Sequence, residues 1–308
     1  MTYPLKLADN MIFRYFFVLI FIFISENVYA QTESELDSLQ KLENYIADTT
    51  YIDEVEDKAG KIDKVLHAEP LYIDLIRDLG ARKGEAEWNI AYGMTDATSF
   101  TRYDALIEYE FAPINRLGLE IEIPLSLHQN NPNDNTYAVP SDRINGLKLA
   151  TQYSFFVSEK IKTSLAIGYI HEFEFSELDK LYQKQFYKGN IFNPFMVAAK
   201  RWGNNFHTLI YTGGKFIKEF QDSKTHFEYA INTNLHYMIS GTRNFVGIEL
   251  NQNFTYQGLN TLIRPQMRVG ISDNFLIGIV TGIPTNYKQE RLSTFIRLIY
   301  EPKHRKKY

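Results

Sequence analysis

The stretch Leu117-Gly118-Leu119-Glu120-Ile121-Glu122-Ile123-Pro124-Leu125 decides the fold class. Its large apolar residues fall at every second position, with Gly118, Glu120, Glu122 and Pro124 between them. A helix would scatter these residues around its circumference, whereas a strand gathers them on one face. The same period runs outward in both directions. Upstream, Trp88, Ile90, Tyr92 and Met94 alternate with Glu87, Asn89 and Gly93, and Tyr103, Ile107, Tyr109 and Phe111 with Asp104, Glu108 and Glu110. Downstream, apolar faces are read at 147–155, 163–169, Phe195-Val197-Ala199, 206–210, 227–237, 246–250, 263–269, 275–283 and 292–300.

The connections carry the topology. Breaks at 112–116, 157–160, 203–205, 240–243 and 271–274 are tight, while those at 126–143, 175–190, 217–225 and 284–290 are longer. Short turns on one side and longer loops on the other are the layout of a closed antiparallel up-and-down transmembrane β-barrel of about 12 strands. Residues 84–94 are expected to pair with 291–301 and close it. A soluble antiparallel sandwich is the competing reading, since its faces would alternate as cleanly. Regular hairpins, membrane-length faces and aromatics near the strand ends favour the barrel.

Composition narrows the rest. The 308 residues carry a formal charge of -4 and no Cys, which excludes disulfides, thiolate metal sites, a cysteine nucleophile and a lipid-modified N-terminal Cys. No basic domain is present to neutralise phosphates, so nucleic acid is not an expected partner. Residues 1–30 read as a signal peptide: Lys6 and Arg14, the apolar run Tyr15–Ile24, then Val28-Tyr29-Ala30 before the cut. Met11 is an alternative start. Residues 31–83 are expected to form a periplasmic segment with a short amphipathic helix at 32–47, built on Leu36, Leu39, Leu42, Tyr45 and Ile46. Residues 84–301 form the barrel, and 302–308 a basic tail ending in Tyr308. The chain is expected in the outer membrane of a Gram-negative bacterium with both termini periplasmic. Outer-membrane lipid and the barrel-assembly machinery would be its partners.

The segment His67-Ala68-Glu69-Pro70-Leu71-Tyr72-Ile73-Asp74 resembles the signature after which the HAEPLYID family of Bacteroidota proteins is named. The resemblance implies a cell-envelope protein of that phylum. It brings no reaction, substrate or catalytic residue with it. From the residues themselves, one reading is a tether. Pro70 stiffens the chain, Leu71, Tyr72 and Ile73 pack at the periplasmic mouth or in the lumen, and His67, Glu69 and Asp74 make hydrogen bonds. In a sharper reading His67, Glu69 and Asp74 serve a metal or partner site, although these ligand types specify no metal. A third is a docking epitope.

With the apolar faces in lipid, Glu108, Glu110, Glu120, Glu122, Glu228, Glu249, Arg264, Arg268, Arg291 and Arg297 line the interior, acidic on one side and basic on the other. Opposed charges can pair and brace the barrel, or leave a small polar channel. No catalytic residue, metal or cofactor is assigned. His171 with Glu172 and Glu174 lacks a well-placed nucleophile, and Gly213-Gly214-Lys215 is not a phosphate loop. The two-signed lining favours a small-solute channel or transport-related barrel. The alternative is a structural barrel that docks an envelope protein through residues 31–83.

Overall fold

The computed structural model describes residues 35–56, 60–73, 76, 78–130, 139–182, 186–287 and 290–302. The signal peptide, Asp74 and the basic residues 303–308 lie outside the described residues. The chain divides into two compact units, Met1–Ile46 and Ala47–Tyr308.

Helix α1 spans Glu35–Glu56, longer than the 32–47 expected. The β-branched pair Thr49-Thr50 marks an early stop on propensity alone. Tertiary packing overrides it, because Ile52 is buried in an apolar cluster and Arg82 caps the last turn. The Arg82 guanidinium donates to the carbonyls of Val55 and Glu56 at 3.2 Å.

The strands are β1 (Ala86–Ala97), β2 (Phe100–Ile114), β3 (Leu117–Asn130), β4 (Arg143–Ile144), β5 (Gly146–Ser158), β6 (Thr163–Phe175) and β7 (Tyr187–Trp202). They continue as β8 (Phe206–Glu219), β9 (His226–Met238), β10 (Phe245–Thr255), β11 (Gly258–Gly270), β12 (Phe275–Pro284) and β13 (Glu290–Tyr300). The two-residue β4 only extends the edge of β3, which leaves twelve long strands. Each long strand pairs antiparallel with its sequence neighbours, and β1 pairs with both β2 and β13. The closing register sets Trp88 opposite Tyr300 and Met94 opposite Thr294. Closure removes every free edge.

The outward face is apolar. Ile107, Ile121, Ile123, Ile167, Ile210, Leu235, Val246, Met267, Ile279 and Ile296 are exposed along it. Aromatic pairs ring both ends: Trp88–Tyr109, Phe206–Tyr237 and Phe275–Tyr300 at the tight-turn end, Tyr187–Phe220 and Phe216–Phe227 at the long-loop end. Such belts suit an apolar band bounded by two interfaces.

Two assignments of side are corrected. On β7 the residues Phe195, Val197 and Ala199, expected in lipid, are buried, and Met196 is exposed instead. They pack against Ile73, Ile76 and Leu79 of the N-terminal segment. Arg291, expected inside, is exposed near the long-loop rim, 3.8 Å from Asp96.

Candidate functional site

The barrel encloses the segment that follows α1. Asp48 accepts from the Gly241 N–H at 3.0 Å in the tight β9–β10 turn, where Gly241 holds φ +65° and Ala47 lies against it. From there the chain rises into the lumen and returns. His67 hydrogen-bonds Ser164 of β6 at 2.9 Å, the Ala68 N–H donates to His207 Nδ1 of β8 at 3.0 Å, and the Leu71 N–H donates to Gln266 of β11 at 2.8 Å. On the way back the Gly80 N–H donates to Ser154 Oγ of β5 at 2.9 Å, and Gly84 reaches the Ala112 carbonyl at 2.8 Å. Contacts to strands on all sides place this segment within the wall as a plug entered from the tight-turn end.

Two apolar cores hold it. Ile73, Ile76 and Leu79 meet the inward faces of β5 to β8, while Ile52, Leu66, Ala68 and Leu71 meet Met238, Phe245, Leu276, Val280 and Ile299. Gly278 makes room for Leu71, since a β-carbon there would stand 3.1 Å from Leu71 Cγ. Along the signature segment and just before it, Val65 through Ala68, Pro70 and Leu71 are all buried, while Tyr72 is exposed. Burial wins because the run is too apolar to leave in water once a matching apolar wall is available.

Charge is neutralised along the wall and against the plug. Glu56 meets Arg201 at 2.8 Å, Lys64 meets Asp78 at 2.5 Å, and Glu69 meets Arg268 at 3.4 Å. Arg268 also stands over the Phe245 ring at 4.8 Å. Burial, then the neighbouring His207 and Arg201 charges, push His67 down to about 3. Burial raises Glu56 against the Leu66 N–H and Arg201. Burial beside Asp78 raises Glu69 well above the usual carboxylate range, against the pull of Arg268.

Eight of the ten residues expected in the lumen row are buried: Glu108, Glu110, Glu120, Glu122, Glu249, Arg264, Arg268 and Arg297; Glu228 is half-buried and Arg291 exposed. Two of their ion pairs follow the wall, one between the adjacent strands β5 and β3 and one between β13 and β2 with β1 between them. Lys148 meets Glu122 at 2.7 Å, and Arg297 meets Glu108 at 3.6 Å. Asn89 Nδ2 donates to Glu87, Glu108 and Glu110 at 2.9, 2.6 and 3.2 Å. Carboxylate oxygens of Glu108, Glu120 and Glu122 lie within 4.8 Å of one another, a hard-oxygen cluster that Arg297 and Lys148 compensate from either side. Arg264 donates to Asn251 Oδ1 at 2.7 Å, and Asn251 donates to Glu249 at 2.6 Å. Glu228 accepts from Asn253 at 3.2 Å, apart from the others.

Above the plug the described residues enclose open space. A cavity of about 510 Å³ runs from Tyr72 and Ile73 to Asn145, Asn253 and Asn260 near the long loops. Arg264 lies 3.4 Å over the Tyr72 ring, and Phe295 meets it edge-on at 5.9 Å. Of the described signature residues, Tyr72 and Ile73 line the cavity, while His67, Glu69 and Pro70 are anchored beneath it. Sequence reasoning missed the wall residues that grip the plug: Ser154, Ser164, Arg201, His207 and Gly278. The available signal was strands with both faces apolar toward the tight-turn end, such as Phe275-Leu276-Ile277 and Leu298-Ile299.

The fold is that of outer-membrane channels. A solved outer membrane channel, COG4313 from Pseudomonas putida F1, superposes with a TM-score of 0.61 at 10% identity, over 74% of this chain and 99% of that one. The NanC porin gives 0.50 at 8% identity, over 70% and 98%. No curated protein matches the sequence. The model of the HAEPLYID-like family matches residues 63–301, taking in both the inserted segment and the barrel, and the chain belongs to that family.

Proposed function

We propose that the protein is an outer-membrane channel for small polar solutes, closed toward the periplasm by its own N-terminal segment. The supporting observation is the two-signed polar cavity of about 510 Å³, which ends on Tyr72 and Ile73 of the plug. In this reading the tight turns and both termini face the periplasm, the long loops face outside, and outer-membrane lipid covers the apolar band. The assembly machinery for barrels inserts the chain. Passage requires the plug to shift. Its attachments are two apolar cores together with hydrogen bonds and largely buried ion pairs to many strands, so a shift has to replace these contacts with others inside the lumen.

The chain has no Cys, so a lock can be introduced cleanly. Leu71→Cys with Gly278→Cys sets two thiols where the Leu71 side chain packs against the Gly278 backbone. In planar bilayers the oxidised double variant should conduct less than the wild type, and reductant should restore it. Equal conductance in both redox states, with the disulfide verified, would sink the mobile-plug reading.

A second reading keeps the barrel closed and uses it to present α1 to an envelope protein. Its support is the exposed Leu39, Leu42, Tyr45 and Ile46 on that helix. Loss of a co-purifying partner on deleting residues 31–46, with no conductance in any variant, would favour it.

A further inference from the structure

We propose that the cavity above Tyr72 binds an uncharged oligosaccharide of about two sugar units, a size suited to small-molecule sites of roughly 300–1,000 Å³. This rests on the channel reading for placing solute in the lumen, although binding itself needs no passage.

The wall between β9 and β11 carries an array of amides. Asn232 stands directly opposite Asn251, and Asn253 directly opposite Asn260. Among the described residues neither the Asn232 nor the Asn260 side chain has a hydrogen bond within the chain. Asn253 gives its amide N–H to Glu228 and leaves Oδ1 without a partner. On the adjoining strands Asn193 accepts from the Tyr211 hydroxyl at 3.1 Å, and both line the same space.

A carboxamide offers donors and an acceptor side by side in one plane. A pair of neighbouring sugar hydroxyls, each both donor and acceptor, matches that pattern. An apolar solute would strip water from these amides without replacing its hydrogen bonds, leaving buried donors and acceptors unpaired. A strongly charged solute finds most of the lining charge already engaged, the Glu172 carboxylate excepted. Lys148 is tied to Glu122, Arg297 to Glu108, and Arg264 is spread over Tyr72. Lys215 faces Glu228 in cross-strand register.

The test is calorimetric titration of the full mature chain in detergent with maltose, cellobiose, sodium gluconate and triglycine. At least one disaccharide should bind with a dissociation constant of about a millimolar or tighter, and at least about tenfold more tightly than gluconate or triglycine. Asn232→Leu with Asn260→Leu should weaken that binding by about tenfold or more. The milder Asn260→Thr should weaken it less, and gives the reading if the double variant loses its heat-modifiable migration. No disaccharide binding, a preference for gluconate or triglycine, or undiminished binding in the folded variants would overturn the proposal. Disaccharide binding without conductance would overturn the channel reading and leave this one standing. Conductance without disaccharide binding would do the reverse.

Discussion

Arg201 places its guanidinium 2.8 Å from Glu56 inside the tight-turn end, with both side chains largely out of water. Removing one partner of such a pair strands the other charge at a cost of about 3–5 kcal/mol. Arg201→Met should therefore loosen the plug, seen as faster amide exchange over residues 61–73 with strand protection unchanged. Unaltered exchange would show that the pair does not hold the segment. His67 gives a pH signature of definite sign. Its folded value of about 3 lies below the ordinary 6.5, so the unfolded or released segment binds the extra proton. Its contribution is complete above pH 6.5 and falls as pH drops toward 3. Glu69 acts oppositely: raised by burial, it favours the seated plug at low pH and weakens it as pH climbs through the raised value. The two slopes oppose between pH 6.5 and 5, so the readout is the variant: as pH falls through that window, protection of residues 61–73 relative to the intrinsic exchange rate should hold up better in His67→Gln than in the wild type. Identical profiles would remove His67 from the account. Individual roles of this kind were barely legible in the sequence. The parity of β2 and β3 turned Glu108, Glu110, Glu120 and Glu122 inward on paper, but nothing local marks Ser164 or Gln266 as partners of a segment far away in the chain.

At the scale of the element, β3 and β7 mark the limits of pattern reading. In β3 Ile121, Ile123 and Leu127 are exposed on the outer face and Glu120 and Glu122 are buried on the inner one, so period and environment agree. In β7 both faces are apolar, because the inward one meets Ile73, Ile76 and Leu79 rather than water. Alternation alone cannot choose a face there, and the choice made from it was wrong. The difference can be tested by charge. Ile121→Arg at the lipid face should cost about 2–4 kcal/mol in the bilayer, whereas Glu120→Gln should leave insertion intact. Single cysteines sharpen the case for β7: Met196→Cys should react with lipid-soluble reagents, and Val197→Cys should stay protected until the plug is released. Matching reactivity at both positions would overturn the assigned faces. Helix α1 shows the same dependence on distant partners. Its expected end near residue 47 ignored Arg82, which captures the final carbonyls from beyond the helix.

At the scale of the whole molecule, the barrel is closed by backbone hydrogen bonds that do not involve the plug, but its lower interior is finished by it. Phe195, Val197, Ala199, Leu209, Phe245, Leu276 and Val280 face inward and are buried with residues of the inserted segment in the two apolar cores. Without that segment these side chains would line a wetted lumen, losing burial worth about 25 cal/mol for each Å² exposed. Strand pairing, in contrast, would persist around the whole ring. Deleting residues 31–83 should therefore lower the unfolding temperature in detergent while preserving strand content and the slower or faster migration of unboiled samples. It should also raise conductance, since the floor at Tyr72 and Ile73 would be gone. A deletion variant that folds, yet melts and conducts like the full chain, would mean the segment neither completes the core nor closes the lumen. One that loses its strands altogether would mean the plug is needed to form the barrel, and the lock between residues 71 and 278 would then have to carry the question of gating. The cores make the first outcome the expected one: they are built from inward residues on β5 to β10, β12 and β13, but the hydrogen-bonded ring that joins those strands closes through β1 and β13 on its own.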